Sequence, residues 1–132
     1  MGSTSEKIVN QISTKNGIVT LRTDGILSFE PHQDVKTIST ESMKEDLDAF
    51  IKLTENKKVP FLSDNRSLND FNSDQKSYMQ EKIPTFCSKF AILIDSGISA
   101  FFFNMFQLFY KPSVPMKAFK NKELAINWLN EK

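Results

Sequence analysis

Apolar and polar residues in the first quarter of the chain come in short runs broken by turn-forming pairs. Between Ile8 and Thr23 two β-compatible runs flank Asn16-Gly17, a dipeptide suited to the φ > 0 positions of a tight hairpin turn. Asp24-Gly25 marks a second turn ahead of Ile26-Leu27-Ser28-Phe29. The opening therefore reads as an antiparallel meander of about three strands, followed by a polar loop through Pro31, His32 and Gln33.

Beyond that loop the apolar period becomes helical. Ser39 or Thr40 can cap a first helix, with Glu41 in its first turn complementing the exposed amides. Met43, Leu47, Phe50, Ile51 and Thr54 recur at helical spacing to about Asn56, so one face packs on a sheet. Val59-Pro60-Phe61-Leu62 reads as a short buried strand, and 63–72, rich in Ser, Asn and Asp, as a loop. Ser73 can cap a second helix carrying Tyr78, Met79, Ile83 and Phe86, which Pro84 should end or distort. Ala91-Ile92-Leu93-Ile94 is continuously apolar, as a central strand covered on both faces would be. A third helix is expected from Ser96 to about Tyr110, stopped by Lys111-Pro112. Met116 to Phe119 then forms a last strand, and Asn121 caps a short helix burying Leu124, Ala125, Trp128 and Leu129.

This order predicts an α/β fold: a mixed, largely parallel sheet with an N-terminal antiparallel meander and about four helices. Residues 1–6 are expected to be a flexible N-terminus and residues 7–132 a single domain, since no repeat or linker interrupts them.

Charge narrows the function. With 17 basic and 16 acidic side chains the formal net charge is +1, too little to gather phosphates, so a nucleic-acid partner is not expected. Cys87 is the single cysteine, which excludes an internal disulfide and fits a cytoplasmic protein. Preceding an apolar strand, it reads as a small core hydrophobe. The N-terminus lacks the layout of a signal peptide, and the most apolar stretch, from Ile98 to Tyr110, is too short to span a bilayer.

The second half carries a recognisable succession: Pro60-Phe61-Leu62-x-Asp64-x-Arg66, Phe90-Ala91-Ile92-Leu93-Ile94, Asn104-x-Phe106, Lys111-Pro112-x-x-Pro115-x-x-x-Phe119 and Glu123-x-Ala125-x-x-Trp128-Leu129. From about Gly25 to the C-terminus this resembles the small bacterial STAS-like proteins (sulfate transporter and anti-sigma-factor antagonist domains), in the branch of unknown function often grouped with CRAL-TRIO lipid-transfer domains. The resemblance implies a mixed sheet sandwiched with helices, no cofactor and no catalysis. In antagonist members a serine at the start of the helix after a central strand is phosphorylated to switch partners. The matching place here is Asn72-Ser73-Asp74, but the Asp-Ser-x-Gly-Leu signature is absent, since Asp74 and Gln75 follow Ser73.

Candidate chemistry is sparse. His32 is the only histidine, so no zinc set or serine-protease triad can be assembled. Glu45, Asp46 and Asp48 lie among lysines on a helix, as on a solvated face. Asp64, Asp70 and Asp74 lack the spacing of a calcium loop, and no glycine-rich phosphate cradle can be written. Asp64 and Arg66 follow a central strand, where ligands of open α/β sheets sit; the alternative is an ion pair that fixes the loop. Ser73 divides similarly between a helix cap and a recognised hydroxyl.

The third helix is the most informative segment. At about 100° per residue, Ile98, Phe102, Met105 and Phe109 centre a buried stripe, while Phe103 and Tyr110 fall on the wet side with Phe106 at its margin. Either the C-terminal segment covers these rings, or they form an apolar ridge for a second subunit, a partner or a lipid. The expected function is a non-enzymatic, protein-binding or regulatory module, possible as a homodimer. The alternative is a domain that shelters an apolar ligand or docks on a membrane surface.

Overall fold

The computed structural model describes residues 8–68, 73–96 and 114–131. The three opening strands are β1 (Ile8–Ser13), β2 (Gly17–Arg22) and β3 (Leu27–Pro31), paired antiparallel so that Val19 lies opposite Ile12 on one side and Phe29 on the other. Their two turns use glycine for different reasons. Gly25 sits at φ +85°, the left-handed conformation that the Asp-Gly pair implies, and Arg22 grips Asp24 across that turn at 2.9 Å. Gly17 is not left-handed, which corrects the expectation drawn from Asn16-Gly17. The Thr14 amide donates to the Gly17 carbonyl at 2.8 Å, leaving Lys15 and Asn16 as the turn residues. A glycine is needed there because β3 runs close: a Cβ would press on the Glu30 carbonyl oxygen and lie 2.8 Å from the Pro31 Cα.

Helix α1 (Thr40–Thr54) starts where capping chemistry places it, with the Ser42 amide donating to Ser39 Oγ at 3.1 Å. It ends on two left-handed residues, Glu55 and Asn56. Strand β4 (Val59–Asp64), helix α2 (Ser73–Phe86), strand β5 (Cys87–Leu93), strand β6 (Met116–Phe119) and helix α3 (Lys122–Asn130) follow. Pro84 does not end α2; it stands in the last turn, where it removes one amide, and the helix runs on to Phe86 before the chain enters β5. Three helices are thus seen among the described residues rather than about four, and the helix expected between Ser96 and Tyr110 lies outside them. The Ser73 backbone opens α2, while the capping expected of its side chain lies outside the described part.

The six strands stand in sequential order, with β3–β4, β4–β5 and β5–β6 all parallel. Phe61 lies opposite Phe90, and Leu62 opposite Ala91, so the two apolar runs are the neighbouring parallel strands that their composition implies. Pro60 cannot donate to a ladder, and the register accommodates it by a bulge: Val59 pairs with Cys87 and Pro60 with Lys89, skipping Ser88.

Alternation along the strands sends two apolar sets to opposite faces. One face meets α1 and α2 around Phe50, Phe61, Phe86 and Phe90, whose rings lie about 5 Å apart. On the other, Ile26, Leu62, Ala91 and Leu93 receive Ala125 and Leu129 of α3. Leu124, expected inside, is 58% exposed. At 100° per residue it falls off the narrow Ala125–Leu129 stripe, and a nine-residue helix has only that one seam against the sheet.

Lys89 locks α3 down. From β5 its ammonium donates to the Trp128 carbonyl at 2.6 Å and to the Glu131 carbonyl at 3.3 Å, and it lies 4.4 Å from the Trp128 ring centre. A cation at the negative end of a helix dipole and over an aromatic face is favourable on both counts. Lys89→Met keeps the apolar stem and removes the charge. It should cost about 1–2 kcal/mol, read as a lower urea midpoint with faster amide exchange in α3.

Candidate functional site

The carboxyl end of β4 is where the sequence places a loop site. Asp64 is its last strand residue, and the Asn65 amide then donates to the Leu93 carbonyl at 2.9 Å, tying the departing chain to β5. The Ser63 hydroxyl donates to Asn65 Oδ1 at 2.6 Å. Arg66 folds back on Asp64: its amide and its Nε reach Oδ1 at 3.1 and 2.9 Å, and Nη2 reaches Oδ2 at 2.7 Å. Burial would raise the Asp64 carboxyl, but these bonds, the guanidinium charge and Lys122 outweigh it and hold the group below its ordinary value. Both oxygens of Asp64 accept from Arg66, so the pair braces the loop as it leaves β4. Of the two readings of Asp64 and Arg66, the geometry shows the ion pair.

A second polar cluster lies at the β1–β2 turn, at the same end of the sheet, since Gly17 pairs with Pro31 at the end of β3 and β3 runs parallel to β4. Asp46, expected on a solvated face, is buried at 4% exposure. Its oxygens accept from Thr14 Oγ1 at 2.6 Å and Asn16 Nδ2 at 2.8 Å, and Asn16 Nδ2 also reaches the Ser42 carbonyl at 3.3 Å. The neighbouring Glu45 accepts from the Lys15 amide at 2.9 Å. His32 closes the turn from the segment after β3: its Nε2 lies 2.9 Å from the Thr14 carbonyl, so Nε2 carries the hydrogen, and its amide donates to the Asn16 carbonyl at 3.0 Å. Burial raises the Asp46 carboxyl, and Glu45 adds to that. The Thr14 and Asn16 bonds and the charge of His32 oppose it without cancelling it.

The sequence held a signal for this. Asp46 is three residues after Met43 and four before Phe50, both core residues, and so shares their stripe. Its partners Thr14 and Asn16 come from thirty residues away and had no such mark. Cys87 is the core hydrophobe expected of it: 1% exposed, with burial pushing its thiol up to about 12. Among the described residues no three His, Cys, Asp or Glu side chains converge as a metal ion would require, and no helix is long and apolar enough to cross a membrane. The sequence's interface candidates Phe103, Phe106 and Tyr110 lie outside the described residues.

A family model described as a domain of unknown function (DUF7793) matches residues 19–132. The chain belongs to this family. The DUF7793 match begins at Val19 in β2, so it takes in Asp46, Asp64 and Arg66 but not Thr14 or Asn16. No curated protein matches the chain. Among solved structures, it is similar to an uncharacterized DUF3478-family protein from Shewanella loihica PV-4 with a SpoIIAA-like fold. That likeness has a TM-score of 0.58 at 16% identity and covers 98% of both chains. It shows the fold expected from the STAS-like succession of motifs. A protein of unknown function from Arthrobacter sp. FB24 also matches, with 21% identity and a TM-score of 0.28 over 86% of this chain and 99% of that one.

Proposed function

We propose that this DUF7793 protein is a non-catalytic interaction or regulatory module of the bacterial cytoplasm, working through protein contacts that include a second copy of itself. The observation that carries this reading is that, among the described residues, Asp64, Asp46, His32 and Cys87 are engaged in holding the fold. Asp64 is held by Arg66, Asp46 by Thr14 and Asn16, and His32 by a turn carbonyl. The Cys87 thiol lies in the core. The SpoIIAA-like architecture supports the same reading through the STAS resemblance, since antagonist members of that group act by binding partners. For the surface involved, we take the aromatics that helical spacing puts on a wet face, Phe103 and Tyr110 with Phe106 at the margin. A net charge of +1 argues against nucleic acid as the partner.

Sedimentation velocity and native mass spectrometry of the full chain over a concentration series test this. The expected result is a reversible dimer that serine at both Phe103 and Tyr110 converts to a folded monomer. A wild type that stays monomeric, yet retains a lipid or co-sediments with phosphatidylcholine–phosphatidylglycerol vesicles, would replace this reading with that of an apolar-ligand or membrane-surface domain.

A further inference from the structure

We propose that Asn16-Gly17 is a deamidation site held closed by the fold: water converts the Asn16 side-chain amide to an acid only when the β1–β2 turn comes away from α1, and the product cannot close the turn again. An asparagine followed by glycine is the context in which this reaction meets least hindrance, because no Cβ shields the next amide nitrogen. The Gly17 nitrogen gives its proton to hydroxide and attacks Asn16 Cγ. The Cγ–Nδ2 bond breaks, Nδ2 takes a proton from water and leaves as ammonia, and a cyclic imide remains. Water then opens the ring at either carbonyl, leaving aspartate or its β-linked isomer. Nothing is oxidised or reduced, the hydroxide is regenerated, and water is the only co-reactant consumed.

Each atom of the attack is restrained in the folded protein. The Gly17 amide donates to Thr14 Oγ1 at 3.2 Å, and that hydroxyl is itself fixed by donating to Asp46 Oδ1 at 2.6 Å. The leaving nitrogen, Asn16 Nδ2, donates to Asp46 Oδ2 at 2.8 Å and to the Ser42 carbonyl at 3.3 Å. Asn16 is buried, which keeps hydroxide and water from it. Swinging Cγ onto the Gly17 nitrogen breaks both bonds to α1 and leaves two acceptors short of a donor. The same contacts fix the identity of the labile pair. A Cβ at position 17 would lie 2.8 Å from Pro31 Cα, and position 16 must supply N–H groups to two acceptors on α1. Conversion is one-way. It exchanges those donors for a carboxylate facing Asp46 Oδ2 and the Ser42 carbonyl, which themselves only accept. Two carboxylates so placed cannot both stay ionised, and the Ser42 carbonyl loses its donor in either case. The isomer adds a methylene to the backbone ahead of Gly17, which displaces the Thr14–Gly17 bond that closes the turn. Conversion therefore accumulates with the time the turn spends open, as the open fraction multiplied by the rate in the unfolded chain.

Peptide-level mass spectrometry of the full chain, aged in mildly alkaline buffer with and without guanidinium, reads conversion at Asn16. It should run at least about tenfold slower in native buffer than in denaturant, as for a site that opens only in a minor population. The converted chain can be separated from its parent on ion exchange by its added negative charge. Returned to native buffer, it should have lost amide-exchange protection at Thr14 and Gly17. Asn16→Asp should reproduce that loss. Asp46→Asn in the Asn16→Asp background should restore part of the protection, because an amide then faces a carboxylate again. Equal rates in the two buffers overturn the proposal, as does an absence of conversion in guanidinium. Both readouts come from the wild type and stand even if a variant fails to fold. A converted chain that regains wild-type protection also overturns it, and so does a double variant no better protected than Asn16→Asp.

Discussion

Phe61→Ala should lower the free energy of unfolding by about 3–5 kcal/mol. Phe61 is 1% exposed in the middle of the sheet, with ring centres of Phe50, Phe86 and Phe90 at 4.9, 5.1 and 5.2 Å. Its ring meets rings of α1, α2 and β5, so its removal opens a cavity bounded by three rings that belong to three elements. Those rings are anchored by separate backbones and cannot all collapse inward. The unrecovered contact, added to lost burial, puts the change at the upper end of core truncations. Urea denaturation followed by circular dichroism measures it. Leu124→Ala, on the exposed side of α3, is the internal comparison and should stay within about 0.5 kcal/mol of wild type. A loss below about 1 kcal/mol at Phe61 would mean that the two helices do not share the core seen around it.

Gly17→Ala should be nearly as damaging, at about 3 kcal/mol, although it adds a single methyl group. The added Cβ meets the backbone of β3 at Glu30 and Pro31, and a backbone within a paired sheet has no alternative rotamer to adopt. Relief requires β2 and β3 to separate at the end of their pairing, beside the turn that α1 holds through Asp46. Gly25→Ala gives the contrast. Nothing lies within 4 Å of a Cβ there, so the cost is the left-handed φ alone, about 1 kcal/mol, and Gly25→Asn should recover most of it. Chemical denaturation of the three variants, with amide exchange across β2 and β3, separates the mechanisms. Equal losses at positions 17 and 25 would show that conformation, not contact, governs both.

These cases mark where local pattern is informative. Strands and helices were legible because their apolar residues repeat with the period of the element itself, and because Ser39, Asn121 and the Asp24-Gly25 pair act on amides within four residues of themselves. The parallel pairing of β4 and β5 followed from the same information, since two continuous apolar runs joined by a helix need cover on both faces. The Asp64–Arg66 brace was legible for a like reason: a carboxylate and a guanidinium two residues apart at a strand end can close a turn on themselves.

By itself, then, the sequence determined the order of elements and the mixed sheet, and it set Asp64 and Arg66 close enough at a strand end to pair. The tertiary structure decided why position 17 is glycine, which side chains of α3 face water, and that Asp46 is buried rather than solvated. Each of these depends on a segment distant in the chain: β3 passing over Gly17, a single seam offered to α3, and the hydroxyl and amide of Thr14 and Asn16 arriving beneath α1. A helical period tells which residues share a face. Whether a carboxylate on that face keeps its charge, takes a proton or finds a donor depends on what the rest of the chain packs against it, because desolvation and hydrogen bonding act through space and not along the sequence.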